Sequence, residues 1–152
     1  MPRVKARTDI AAPIALAERV FYDHARWPAF IDGFGALRSV EGPWPQAGAR
    51  VVWDTRPGGR GRVVEQVTRH EQRVGQASHV EDERIEGEQR LGFTARDGGV
   101  TVVLELEYAI KQRNVLTPLV DLLFVRRAMA DSLRRTLARL RLEVLAEQDP
   151  PL

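Results

Sequence analysis

The fold is decided most clearly by residues 97–111, DGGVTVVLELEYAIK. Asp97-Gly98-Gly99 is a typical turn between two strands. After this turn, apolar side chains occupy every second position: Val102, Leu104, Leu106, Tyr108 and Ile110. Glu105 and Glu107 fall on the opposite face. This alternation predicts an antiparallel strand with one face on the core and the other toward solvent.

Shorter alternating runs precede this strand and indicate an antiparallel meander. We predict six strands, at 36–42, 49–55, 61–70, 77–86, 89–96 and 100–111. Glycine and proline signals place the turns between them at 43–48, 56–60, Gly75, Gly87 and 97–99. The runs at 61–70 and 77–86 are so polar that the sequence does not show which of their faces points inward.

One further strand and two short helices are predicted before the meander. Residues 3–10 alternate between polar and apolar side chains, which predicts the first strand. Pro13 suits the first turn of a helix, because its missing N–H has no intrahelical partner at that position. Pro28 disfavours helical geometry at Trp27, so we expect a bend there and a second short helix that ends near Gly33.

One long helix is predicted to complete the chain. Thr117 is a suitable N-cap, Pro118 fits the first helical position, and the helical pattern continues to about Glu147. Steps of four and three residues define a single seam: Leu119, Leu123, Arg126, Ala130, Leu133, Leu137, Leu140 and Val144. Because Arg126 is the charged member of this seam, we expect a buried guanidinium that meets an anion.

Two partners for Arg126 are open at this point. One is an inward carboxylate, Glu65 or Glu83, which would give a buried structural ion pair. The other is a carboxylate or enolate oxygen of a ligand, which arginine holds well through two parallel hydrogen bonds. Arg127 lies near the edge of the seam and is an alternative for the same role.

Composition indicates one domain, which we place at residues 1–148, with a short tail at 149–152. The chain has 152 residues and 43% of them are apolar, which is enough for one packed core. No apolar run reaches the ~20 residues of a membrane-spanning helix and no signal-peptide pattern is present, so we expect a cytoplasmic protein. The absence of cysteine excludes disulfides, thiolate nucleophiles and iron-sulfur clusters.

Charge gives little reason to expect a nucleic-acid partner. The sequence pI is about 9.5, yet the net charge at pH 7 is only +2. The basic residues are almost all arginine, whose charge persists at high pH and raises the pI. The interleaving of aromatic and basic residues that single-strand binding uses is also absent.

Five short stretches carry a resemblance to one protein family. They are Ala11-Ala12-Pro13, Trp27-Pro28-Ala29-Phe30, Gly48-Ala49-Arg50-Val51, the Asp97-Gly98-Gly99 turn and Arg126-Arg127. The chain resembles the polyketide cyclase/dehydrase-like branch of the START-related SRPBCC superfamily. The resemblance implies an α+β helix-grip fold, in which a curved seven-stranded antiparallel sheet wraps around the long C-terminal helix. It also implies a cavity between sheet and helix.

Several kinds of reactive site are not predicted. The three histidines, His24, His70 and His79, lack metal-ligand spacing, so we expect no metal. No serine lies in a G-x-S-x-G context, and the glycine-rich residues 57–61 lack the lysine and helix of a phosphate-binding loop. We expect no cofactor.

The candidate ligand-binding residues are mostly large apolar side chains: Trp53, Phe93, Tyr108, Leu123, Phe124 and Arg126. Ordinary core packing is the alternative for each aromatic residue, although a buried Tyr108 hydroxyl would need a partner and would suit a ligand oxygen. The acids Glu65, Asp82 and Glu83 are candidate general bases. Alternatively, they are solvated or paired with Arg62 and Arg84.

The function predicted from these observations is binding of a small lipophilic molecule, such as a polyketide, isoprenoid, acyl or sterol-like compound. The alternative is a polyketide cyclase, aromatase or dehydratase that uses the same cavity, which polar groups converging inside it would favour. A third hypothesis concerns residues 119–125, which are apolar on more than one face. This segment would meet the end loops of the meander, a second copy of the chain or a membrane surface.

Overall fold

Seven strands form one antiparallel sheet in the computed structural model, which describes residues 1–111 and 119–149. The strands are β1 (Arg3–Ile10), β2 (Phe34–Glu41), β3 (Arg50–Thr55), β4 (Arg62–Glu71), β5 (Gly75–Glu81), β6 (Ile85–Arg96) and β7 (Gly99–Ile110). Their order in the sheet is β1-β7-β6-β5-β4-β3-β2, so the first strand pairs with the last and the other neighbours are consecutive. The predicted seven-stranded antiparallel sheet is confirmed.

The helices lie where the sequence predicts them. Two short helices, α1 (Ile14–Tyr22) and α2 (Trp27–Phe30), are joined by a 3-10 turn and connect β1 to β2, and α3 (Leu119–Gln148) follows β7. The expectation that Trp27 is not helical is wrong, because its φ and ψ of −56° and −37° are helical. The bend instead lies in the 3-10 turn, where the Asp23 carboxylate accepts the Ala25 N–H at 3.1 Å. Thr117 and Pro118 lie outside the described residues.

The helix α3 covers the inward face of the sheet and packs most closely against β1, α1 and α2. Its C-terminal half follows the predicted seam, with four members buried: Leu133, Leu137, Leu140 and Val144. Its N-terminal half does not, because Leu123 and Arg126 are exposed. No helix in the described part of the chain is long and apolar enough to cross a membrane.

Position along α3, and not helical phase, explains why Arg126 is not buried. Val144 lies 18 residues after Arg126, which is five turns at about 3.6 residues per turn, so both side chains project from the same face of the helix. Val144 is buried and Arg126 is exposed. Val125 and Met129 are only partly buried against the core, so this N-terminal part of α3 lies at the edge of the packed interior.

The turn between β5 and β6 lies at residues 82–84, not at Gly87 as predicted. Asp82 stabilises it, because one carboxylate oxygen accepts the backbone N–H groups of Arg84 at 2.7 Å and Ile85 at 2.9 Å. Gly87 is inside β6, directly opposite Tyr108. A side chain at this position would overlap the carbonyl oxygen of Glu107, so glycine here permits close pairing of strands and marks no turn.

Candidate functional site

Strand register shows which side chains of the polar strands point inward. Tyr108 pairs with Gly87, Gly87 with Val80, and Val80 with Glu65. Directly paired residues in an antiparallel sheet project from the same face. Tyr108 and Val80 belong to the buried core, so Glu65 also lies on the inward face. The uncertain phase of 61–70 is thereby resolved.

The Glu65 carboxyl is held inside the molecule by two neutral donors. The indole N–H of Trp53 donates to one oxygen at 3.0 Å, and the side-chain amide of Gln89 reaches the other at 3.5 Å. Burial raises the pKa of Glu65. The hydrogen bond from Trp53 and the positive charge of Arg60 lower it, but they offset this rise only in part. The residue as a whole is half-buried, so it retains some accessible surface.

Two phenol groups lie inside without a hydrogen-bond partner. Within the described residues, the hydroxyls of Tyr22 and Tyr108 are both fully buried and unpaired. Burial raises the pKa of both groups, and the charge of Arg126 opposes the rise at Tyr108. A buried hydroxyl that makes no hydrogen bond is costly, at about 1–3 kcal/mol, so each is a position where a polar atom of another molecule would be stabilised.

Polar side chains lie directly beside apolar ones on the inward face. The row next to Tyr108 and Glu65 contains Leu106, Gln89 and Ser78, which pair in that order across β7, β6 and β5. The neighbouring Val80 and Leu91 are buried apolar residues. This part of the interior therefore combines hydrogen-bonding groups with apolar surface, which suits a lipophilic molecule that carries oxygen atoms.

The six residues predicted to bind a ligand do not form a single cluster. Trp53, Phe93 and Tyr108 are buried on the inward face. Trp53 stacks on Phe34 with ring centroids 5.3 Å apart, and Phe93 lies 6.3 Å from the ring of Tyr22. These contacts are those of packed core residues as well as of a pocket wall.

The other three predicted residues lie at the surface. Leu123, Phe124 and Arg126 line an open groove between α3 and the start of β1. The prediction that Arg126 is buried is wrong, because its side chain is exposed. The predicted ion pair with Glu65 or Glu83 is also wrong, because among the side chains that the structure describes neither carboxylate lies within salt-bridge distance of Arg126. Arg127 is exposed as well and lines the same groove.

Of the two remaining candidate acids, Asp82 is used by the fold. Asp82 is buried and its second oxygen accepts a hydrogen bond from Arg60 at 2.6 Å. Pairing with arginine is therefore correct for Asp82, but the partner is neither Arg62 nor Arg84. Arg62 pairs with Asp54 at 2.9 Å instead. Glu83 is exposed.

Sequence reasoning did not identify Gln89 and Tyr22 as interior polar groups. A signal existed for Gln89, because it lies two residues before Leu91 and four before Phe93, in the inward phase of β6. The misplaced turn at Gly87 hid that phase. Tyr22 follows Phe21 at the end of α1, and no pattern in the sequence indicates that its hydroxyl is buried.

One group of possible metal ligands is present on the outer face of the sheet. Ligand atoms of His79, Glu81 and Glu86 lie within 4.8 Å of one another. The ammonium group of Lys111 already donates to Glu81 at 2.5 Å, and His79 faces Glu86 at 3.2 Å. The spacing in sequence could not show this group, because it forms between two strands. The expected absence of a metal stays a prediction.

A family model described as polyketide cyclase / dehydrase and lipid transport matches residues 1–144. The chain belongs to this family. The resemblance found in the sequence, to the polyketide cyclase/dehydrase branch of the SRPBCC superfamily, is thus confirmed over nearly the whole chain. No curated protein matches this polyketide cyclase/dehydrase family member.

Solved structures with the same fold cover nearly all of this polyketide cyclase/dehydrase family member. TTHA0849 from Thermus thermophilus is 20% identical with a TM-score of 0.77, and the match covers 97% of this chain and 100% of that one. The Zhui aromatase/cyclase from Streptomyces sp. R1128 is 14% identical with a TM-score of 0.72, over 98% and 96% of the two chains. The di-domain aromatase/cyclase StfQ of the steffimycin biosynthetic pathway is 16% identical with a TM-score of 0.74, over 96% of this chain and 52% of that one. At these identities the likeness establishes the helix-grip fold of this family member.

Proposed function

We propose that this protein binds a small lipophilic molecule with oxygen substituents, such as a polyketide, isoprenoid, acyl or sterol-like compound, between the inward face of the sheet and α3. The unpaired, buried hydroxyl of Tyr108 is the observation that supports this most directly. Tyr108 shares a row with Glu65, and Gly87 in between contributes no side chain to that row. A ligand oxygen that hydrogen-bonds to the hydroxyl would remove its desolvation penalty.

The first experiment is native mass spectrometry of the freshly purified protein. We expect an additional mass of a few hundred daltons that organic solvent extracts, because an interior of this kind retains a lipophile during purification. Binding of the dye 1-anilinonaphthalene-8-sulfonate provides a second measurement. Phe93→Ala, on the inward face, should change the dye's affinity by at least about fivefold, and the control Glu105→Ala, on the outer face, by less than about twofold. Equal effects of the two substitutions would contradict interior binding.

A pair of probes tests the role of Tyr108. 2-Naphthol carries one hydroxyl and naphthalene carries none. Tyr108→Phe should weaken 2-naphthol binding by about two- to tenfold, the range expected for one hydrogen bond, and leave naphthalene binding unchanged. Unfolding measurements on the empty protein complete the test, since loss of an unpaired buried hydroxyl should not destabilise it. If both probes lose affinity equally, the hydroxyl has no role in recognition.

An enzymatic function is the second candidate, and the position of Glu65 favours it. A carboxyl group with a raised pKa, held by Trp53 and Gln89 beside an apolar interior, is suited to exchange a proton with a bound molecule. In a cyclisation, the ionised carboxylate would take a proton from the carbon between two carbonyls of a poly-ketone chain. The resulting carbanion would attack another carbonyl of the same chain, and the carboxyl would return the proton to the new alkoxide. Loss of water from this alcohol and enolisation of the ring carbonyls would then give the aromatic ring.

The test for catalysis uses a linear poly-ketone thioester analogue and follows the absorbance of the aromatic product. Glu65→Gln keeps an acceptor for the Trp53 N–H but carries no proton, so cyclisation should fall by about 100-fold or more while dye binding is retained. If Glu65→Gln and the parent protein form product at the same rate, Glu65 is not the proton carrier. If neither forms product above the rate in buffer, the binding function remains.

A further inference from the structure

The groove between α3 and β1 is unusual in its charge. Five of the side chains that line it are cationic: Arg3, Lys5, Arg126, Arg127 and Arg134. Among the described residues that line it, none is a carboxylate. Arg3 pairs with Glu105 and Glu107 beyond the groove, and Arg134 pairs with Asp131. Lys5, Arg126 and Arg127 have no acidic side chain at salt-bridge distance among the side chains that the structure describes. The face as a whole therefore favours an anionic partner.

Apolar side chains lie directly beside these cations and are open to solvent. Val120 is 73% exposed, Leu123 is 56% exposed and Phe124 is 69% exposed. These are three of the six large apolar side chains most exposed in the described part of the chain. Apolar residues clustered on a helix face with arginine and lysine around them are typical of a surface that inserts into the boundary between headgroups and acyl chains.

We propose that this face docks on a bilayer rich in anionic phospholipids, with the cations against the phosphates and with Val120, Leu123 and Phe124 inserted among the acyl chains. Each component of the surface has a counterpart in such a membrane. A second copy of this chain does not match it, because a two-fold contact places the same patch against itself and would bring the groove's cations against their own copies. A nucleic acid would satisfy the cations but would leave the aliphatic side chains in water.

The position of the groove gives this docking a consequence. Val4, which belongs to the buried core, is one of the residues that line the groove, so the groove adjoins the packed interior. A membrane-bound protein would therefore hold this edge of its core against the bilayer. Docking itself does not depend on the proposed ligand function, and the two can fail separately.

Vesicle flotation with the full chain tests the proposal. The probes are vesicles of pure phosphatidylcholine and vesicles with about 30% phosphatidylserine. We expect binding to the second kind and about 100-fold or more weaker binding to the first, because each of the three cations without an acidic partner contributes about fivefold in affinity near an anionic surface. Arg126→Gln combined with Arg127→Gln should weaken binding by about 25-fold. Phe124→Ser should weaken it by about tenfold without altering the circular dichroism spectrum.

Matched controls come from exposed residues elsewhere on the surface. Arg56→Gln removes an exposed cation, and Val74→Ser removes an apolar side chain that is 51% exposed. Neither should change binding by more than about twofold. Equal binding of the groove variants and the controls would overturn the proposal, as would absence of binding to both kinds of vesicle. Sedimentation that shows a dimer dispersed by Phe124→Ser would also overturn it and would assign the surface to a second copy of the chain.

Discussion

The buried carboxylate of Asp82 is expected to be one of the most sensitive positions in the protein. It accepts three hydrogen bonds, from the backbone N–H groups of Arg84 and Ile85 and from the guanidinium of Arg60. Asp82→Ala removes both acceptor oxygens and with them all three hydrogen bonds. The Ile85 N–H is buried, so leaving it unpaired costs about 1–3 kcal/mol, and the Arg84 N–H and the loss of the partly buried ion pair add to this. We expect a total loss of about 3 kcal/mol.

Two further substitutions separate the contributions. Asp82→Asn retains an oxygen for the backbone donors but loses the charge that Arg60 meets, so it should cost about 1 kcal/mol. Glu83→Ala, at the adjacent exposed residue, should change stability by less than about 0.5 kcal/mol. Urea unfolding followed by circular dichroism measures the free energy of unfolding of all three variants. In thermal unfolding, a loss of 1 kcal/mol corresponds to about 2–4 °C in Tm for a domain of this size. If Asp82→Ala costs no more than Glu83→Ala, the turn does not depend on this carboxylate.

Two other predictions concern a backbone contact and a proton. Gly87→Ala should destabilise the protein severely or prevent folding, because the new Cβ would overlap the Glu107 carbonyl and lie 2.8 Å from the Tyr108 Cα. The control in thermal unfolding is Gly92→Ala in the same strand, because a Cβ at that position meets nothing within 4 Å. Glu65 binds its proton more tightly in the folded than in the unfolded protein, so stability should fall as the pH rises above about 4.5, until the pKa of the folded state is passed. Glu65→Gln should lack this decline, and its stability relative to the parent should grow by about 1.4 kcal/mol per unit of pKa difference. If the difference in free energy of unfolding between Glu65→Gln and the parent protein stays constant from about pH 4 to about pH 8, the pKa of Glu65 is not raised.

The sequence alone determined most of the architecture. Alternation along residues 100–110 and the long helical pattern at the C-terminal end identify the last strand and α3, since both signals come from neighbours in the chain. Local reasoning failed where a contact between strands decides the structure. Gly87 resembles a turn residue until Tyr108 is placed opposite it, and the phase of Glu65 is defined only by its pairing with Val80.

The tertiary structure alone decided the composition of the two candidate sites. Glu65, Gln89 and Tyr108 come from three strands, and their proximity depends on sheet register, which is set by hydrogen bonds between segments distant in sequence. Arg126 shares its helix face with the buried Val144, yet it lies on a turn of α3 at the edge of the packed interior and lines the groove beside β1. The sequence specifies which side chains alternate or repeat, whereas what each one contacts depends on strand register and on where the helix leaves the packed core.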